Sequence, residues 1–243
     1  MSLRAVAELH SPTPADPGDR LAPAELIRLL QFASPTLPIG AFAFSQGLEA
    51  AVELGFVRDE PGALDWLLGT LAGGLVHLDL PVLERIHAAW LAHDEAAVER
   101  WSEFLLASRE SAERREEERH LGRALARLLV DQGVPRAAPW LGRESVTHAC
   151  VFALAATHFG IPSNAALLGF AFSWAENQVG ALSRLVPLGQ LAAQRVLAAV
   201  GAAIPAAVER ARTLPDSALG AGLPGVALAC ALHESQYTRL FKS

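Results

Sequence analysis

The chain has 243 residues, 51% of them hydrophobic and 19% charged, and a formal net charge of −6. That length buries a substantial core, and the apolar share exceeds what a soluble monomer needs, so the surplus is expected in a large core, an interface or a membrane. The acidic balance repels nucleic acid and anionic lipid, and no basic stripe interleaved with aromatics offsets it, which removes nucleic acid from the expected partners.

In chain order, residues 1–21 are rich in Pro, Ala and Asp without a long apolar stretch. They read as a disordered leader rather than a secretion signal. Pro23 suits the first turn of a helix over "PAELIRLLQFA", which Ser34 and Pro35 end. Residues 34–55, "SPTLPIGAFAFSQGLEAAVELG", set two prolines and three glycines in surroundings as apolar as a core. Pro35 and Pro38 keep the chain extended, Gly40 permits a tight turn, and Ser45 is placed to cap a helix that Gly55 ends. Gly47 allows close packing there. Phe42 and Phe44 have two destinations, the core or another subunit, while Ser45, Gln46 and Glu49 read as a partner-facing edge.

Asp59 precedes "EPGALDWLLGTLAGGLVHL", where Leu64, Leu67, Leu68, Leu71 and Leu75 form one stripe. Pro81 restarts the chain for "VLERIHAAWLAH", and Asp94 caps "EAAVERWSEFLLAS". A helix over 110–131 contains "ERREEER", whose interleaved signs read as a solvated face, with partner docking as the second reading. Gly133, Pro135 and Pro139 make a linker. No formally charged residue lies between Glu144 and Glu176, but "FGIPSN" breaks that run, so two core helices over 145–159 and 164–185 fit better than one membrane span. Pro187 marks a break before a helix that Pro205 is placed to kink. A loop over 216–224 leads to a short helix, "GVALACALH", and a tail. β-branched runs with period-two alternation are scarce. The expectation is an all-α fold: a single-domain bundle of about ten helices over 22–233, no significant sheet, and a C-terminal partner-binding tail over 234–243.

Chemistry-bearing motifs are few. There is no phosphate loop and no G-x-S-x-G elbow. His233-Glu234 starts like a zinc motif, but Tyr237 stands where the second histidine belongs. Cys150 and Cys230 lie in apolar runs and read as buried free thiols of a reducing compartment. His148 and Cys150, two apart, point away from each other. Cys230 and His233 share a helix face and form at best an incomplete soft-metal pair for a transient nickel or zinc contact shared with a second chain. Two polar clusters are less easily dismissed. One runs through Glu176, Asn177, Gln178, Arg184, Gln190, Gln194 and Arg195; Gln190 and Gln194 would satisfy backbone groups freed at Pro187. The other is the tail "HESQYTRLFKS", which carries aromatic, arginine and apolar residues of the kind enriched at interface centres.

Three ordered segments, "SPTLPIGAFAFSQGLE", "SWAENQV" with "PLGQLAAQR", and "HESQYTRLFKS", together resemble the UreF family of urease accessory proteins, over roughly residues 26–243. The resemblance implies an all-helical, cytoplasmic homodimer with no catalysis of its own and no tightly bound cofactor. In that picture it joins UreD/UreH and the GTPase UreG, modulates the GTP cycle and helps deliver nickel to apo-urease. The tail residues Glu234, Gln236, Tyr237, Arg239, Leu240, Phe241 and Lys242 inherit the contact with UreD/UreH. Structural or interface roles fall to Ser34, Pro35, Pro38, Gly40, Ser45, Gln46, Gly47, Glu49, Glu176, Asn177, Pro187, Gly189, Gln190, Gln194 and Arg195. Leu121, Thr238 and Lys242 depart from the family pattern, and Lys keeps the charge of the usual arginine without its bidentate geometry. Two other readings compete: an all-helical enzyme with Glu176, His233 and Arg195 in one buried pocket, and a membrane hairpin over 145–185.

Overall fold

Alanine- and leucine-rich segments with short polar caps dictate helices, and helices are what the computed structural model contains; it describes residues 21–220 and 222–243. Ten α-helices and no strand occur among the described residues. They are α1 (Pro23–Ala33), α2 (Leu48–Glu53), α3 (Glu60–Thr70), α4 (Asp79–Leu91), α5 (Glu95–Ala107), α6 (Ala112–Asp131), α7 (His148–His158), α8 (Ser163–Leu185), α9 (Gln190–Arg212) and α10 (Pro224–His233). The leader expected over 1–21 lies outside the described residues except for Leu21, which packs against the core.

The caps have ordinary physical causes. Asp59, Asp94, Ser111 and Thr147 each accept a backbone N–H of the helix they open, from Gly62, Ala97, Arg114 and Cys150, satisfying donors that have no partner within the helix. Helix α7 is apolar on every side and has residues 149–156 wholly buried, so it sits at the centre, against α4 and α6. Trp90 of α4 donates its indole N–H to the Cys150 carbonyl at 3.0 Å, which fixes that contact. Helix α8 packs on α1 and α9, and α9 also meets α3 and α4. The membrane hairpin over 145–185 is therefore two core helices. By length and composition α9 alone among the described helices is apolar enough to cross a bilayer unaided. Its Val196, Val200, Ile204 and Val208 are buried inward.

Four sequence expectations need correction. Helix α2 begins at Leu48, after Gly47 at φ +81°, so Ser45 stands before the cap position, from which its hydroxyl still accepts the Glu49 N–H at 3.3 Å. Helix α4 begins at Asp79, and Pro81 sits in its first turn, where no backbone N–H is required. The single helix expected over 60–78 widens into a π turn at Leu71–Leu75, and Leu223 packs so closely on Gly73 that a Cβ there would lie 2.4 Å from its side chain. The linker at Pro135 and Pro139 is a 3-10 helix, Pro135–Leu141.

Close approach of α6 to the start of α7 depends on Gly122, where an added Cβ would lie 2.8 Å from the Thr147 carbonyl group. Backbone cannot yield as a side chain can, so Gly122→Ala is expected to lower stability by about 2–3 kcal/mol. Gly201, in α9 with open space around it, is the contrast: Gly201→Ala should be neutral or stabilising by about 0.5–1 kcal/mol. Urea unfolding of the two variants checks the pair.

Candidate functional site at the docked tail

The segment after α10 does not hang free. Glu234 accepts the Ala112 and Glu113 backbone N–H groups at 2.7 and 3.3 Å, placing a carboxylate on the N-terminus of α6, where the helix dipole favours it. Arg239 then pairs with Glu113. Leu240 and Phe241 donate successive backbone N–H groups to the two oxygens of Glu49, at 2.7 and 2.9 Å. The Lys242 N–H reaches the Ala43 carbonyl at 2.8 Å. The backbone oxygen of Ser243 accepts the N–H groups of Ser45 and Gln46 at 2.6 and 2.9 Å and the Ser45 hydroxyl at 2.5 Å.

Beneath this lies a polar layer with almost no access to water. His233, at 0% exposure, has Glu113 2.7 Å from Nδ1 and Glu49 3.2 Å from Nε2. Glu117 accepts from the Gln46 amide at 2.7 Å and the Ser243 hydroxyl at 3.2 Å, and pairs with Arg114. Arg109 is buried between Asp79 and Glu118, which hold its guanidinium in the charged form against desolvation. Glu118 also accepts the His148 backbone N–H at 3.1 Å. Buried charges of this kind persist only when each is paired and hydrogen-bonded.

The opening segment 34–55 is thus the tail's seat. Gln46, at φ +59°, holds its amide between Glu117 and the Trp174 indole, which donates at 3.0 Å. Ser45 and Glu49 are buried, so they hold the tail and do not form the partner-facing edge expected of them. Phe42 and Phe44 divide: Phe44 is buried and Phe42 is 62% exposed. Gly47 lets α10 approach; a Cβ there would lie 2.8 Å from Cys230 Sγ. Gly40 also has positive φ, at +80°. Ser34 bonds Thr36 at 2.8 Å, and Pro35 and Pro38 lie exposed in that turn.

The remaining residues singled out by sequence go to different places. Phe241 is buried, with Arg184 over its ring, so it seats the tail and cannot meet a partner directly. Tyr237 is fully exposed and Leu240 is 62% exposed, while Glu234, Arg239 and Lys242 also reach solvent and Gln236 is half-buried. Cys230 is a packing thiol that burial pushes up to about 11, and both ring nitrogens of His233 face carboxylates, so neither residue offers a free ligand. Pro187, Gly189, Gln190 and Gln194 are exposed. Among the described residues neither glutamine side chain braces the joint before α9. Arg195 pairs with Glu60 at 2.6 Å on the surface. Glu176 lines a cleft with Arg184, and Asn177 donates to the Phe44 carbonyl at 3.2 Å. Glu176, His233 and Arg195 share no partner and no cleft, so the pocket required by the enzyme reading is not assembled.

Sequence reasoning missed Glu113, Glu117, Glu118, Arg109, Arg114 and Asp79, because "ERREEER" alternates in sign as a solvated helix does. Glu113 and Glu117 were the available signal: like charges four apart on one helix face repel unless cations or donors arrive from elsewhere, and here the tail supplies them.

The UreF family model matches residues 57–201. Among curated relatives, the chain is 49% identical to the urease accessory protein UreF of Alkalilimnicola ehrlichii over 216 residues, covering 89% of this chain and 95% of the other. It is 48% identical to the protein of the same name from Chromohalobacter salexigens, covering 94% and 99%, and 44% identical to that of Hahella chejuensis, covering 92% and 100%.

Two outcomes follow from this geometry. Glu49→Ala strips the acceptor from two tail amides, so hydrogen exchange at Leu240 and Phe241 should rise about tenfold or more while far-UV helicity holds. Glu60→Ala, at an exposed pair, should leave both amides unchanged. Separately, burial holds the imidazoles of His87 and His148 below their ordinary range, despite the Ile161 carbonyl beside His87 and Glu118 near His148, which act the other way. The unfolded chain takes up those protons near pH 6.5 and the folded chain does not. Their contribution is therefore complete above that pH and is lost as pH falls below it. The urea midpoint should drop between pH 7.5 and 5.5, and His148→Phe should flatten part of that slope.

Proposed function

We propose, from the premise that this chain belongs to the urease accessory protein UreF family, that it is a non-catalytic adaptor in urease assembly. In this reading it works in the cytoplasm as a homodimer. It binds UreD/UreH through its C-terminal region, brings in the GTPase UreG and modulates its GTP cycle, and helps pass nickel toward apo-urease. Nickel is cargo here, met transiently and held by no resident site.

The observation that carries the reading is the division of the tail into an inner and an outer side. Phe241 and the backbone of residues 240–243 are committed inward, while Tyr237 and Leu240 face solvent, as do Leu228 and Leu232 of α10, which are 50% and 41% exposed. An aromatic and several leucines on a pre-ordered surface suit a protein partner, because no ordering entropy has to be supplied on binding. Of the polar layer beneath, Glu49, Glu113 and Glu117 are engaged in holding that surface.

Reconstituted urease activation tests this directly. Activation should require the chain, and it should fall at least tenfold when Tyr237→Ala and Leu240→Ala are combined, with co-purification of UreD/UreH lost and helicity kept. Full activation without the chain, or undiminished UreD/UreH binding by the double variant, would sink the reading.

A further inference from the structure

Every carboxylate that is buried or half-buried among the described residues has a hydrogen-bonding partner, with one exception. Glu25, Glu49, Glu60, Asp79, Glu84, Glu99, Glu113, Glu117 and Glu118 are all engaged. Glu176 is half-buried and has no hydrogen bond or ion pair among those residues. It faces a cleft of about 340 Å³ between the opening segment and α8. Burial without a compensating charge raises its carboxyl above the ordinary value.

The cleft's other polar groups are accounted for differently. Asn177 is tied to the Phe44 carbonyl, and Arg184 reaches the Phe42 carbonyl at 3.5 Å and lies over the Phe241 ring. His148 also lines the cleft and is half-buried, with its Nε2 atom shielded and unpartnered. Phe42, which also lines the cleft, is 62% exposed. The carboxylate left without a partner in this cleft favours a positive charge, and the exposed Phe42 ring beside it favours a cation as well.

We infer that this cleft is a docking site for a protein partner that inserts one basic side chain, arginine or lysine, past Phe42 onto Glu176. Its apolar stem would lie along the Phe42 wall, with the charged head on the carboxylate. Arg184, eight residues further along α8 and so about 12 Å away, repels a second cation, so the fitting segment carries a single basic residue in an apolar context and not a polybasic run. This surface is separate from the outer side of the tail, and the inference does not rest on the adaptor reading.

The test uses the full chain and a short peptide blocked at both ends, with leucines flanking a central arginine. Companion peptides carry norleucine or glutamate at the centre. Backbone amide shifts of α8 report binding. The arginine peptide should bind about tenfold more tightly than the norleucine peptide, and the glutamate peptide weakest. Glu176→Gln should erase the arginine preference while leaving norleucine affinity unchanged; Phe42→Ala should weaken both peptides. Glu53→Gln, an exposed carboxylate on α2, should alter neither. Equal affinity of the arginine and norleucine peptides, an arginine preference that survives Glu176→Gln, or no binding of the arginine peptide at millimolar concentration would each overturn the inference. None of these results bears on whether the chain supports urease activation.

Discussion

The seam of this molecule turns on the carboxylate of Glu49. A buried carboxylate persists only if its oxygens are met by donors, and α2, on which Glu49 sits, supplies none. The donors come instead from the far end of the chain: the His233 ring, 184 residues away, and the amides of Leu240 and Phe241, 191 and 192 residues away. Charge-assisted bonds of this kind are roughly twice as strong as neutral ones. The tail is accordingly part of the folded structure, and its order follows from charge compensation more than from apolar burial, since Phe241 is its one deeply buried large side chain.

Glu113 and Glu117 extend the same logic along α6. Each sits where an unpaired charge would be costly, and each is met by more than one group: Glu113 by His233 and Arg239, Glu117 by Gln46, Arg114 and Ser243. Below them Arg109 ties α6 to α4 through Asp79 and Glu118. The result is a continuous polar layer between the tail and the apolar interior, which makes the tail's position depend on α2, α4 and α6 together.

Much of the fold was legible in the sequence because helical periodicity and short polar caps are local signals. Asp59, Asp94, Pro23 and the break at "FGIPSN" act within one or two turns of themselves. The bundle, its approximate helix count and the central apolar pair α7 and α8 follow from such features. The site was less legible for a physical reason: a polar residue facing water and one facing a distant polar partner have the same hydrophobic pattern. "ERREEER" therefore read as solvated, and Ser45, Gln46 and Glu49 as an outer edge, although the tail covers both. Of the segments that carry the resemblance, the opening one and the tail meet, through pairings nearly two hundred residues apart.

Those pairings also explain why an apolar segment rich in proline and glycine occurs at residues 34–55. Its backbone has no sheet or long helix to satisfy it, so its carbonyls are met one by one: Phe42 by Arg184, Ala43 by the Lys242 amide, and Phe44 by Asn177. Alternate positions thus answer to α8 and to the tail. Glycines at 40 and 47, with Gln46, supply the left-handed turns that such double service demands. One face of the segment seats the tail, while the other walls the cleft at Glu176. Leu240 and Lys242 are bonded to that same segment, at Glu49 and at the Ala43 carbonyl, so the tail and the wall of the cleft share one stretch of backbone.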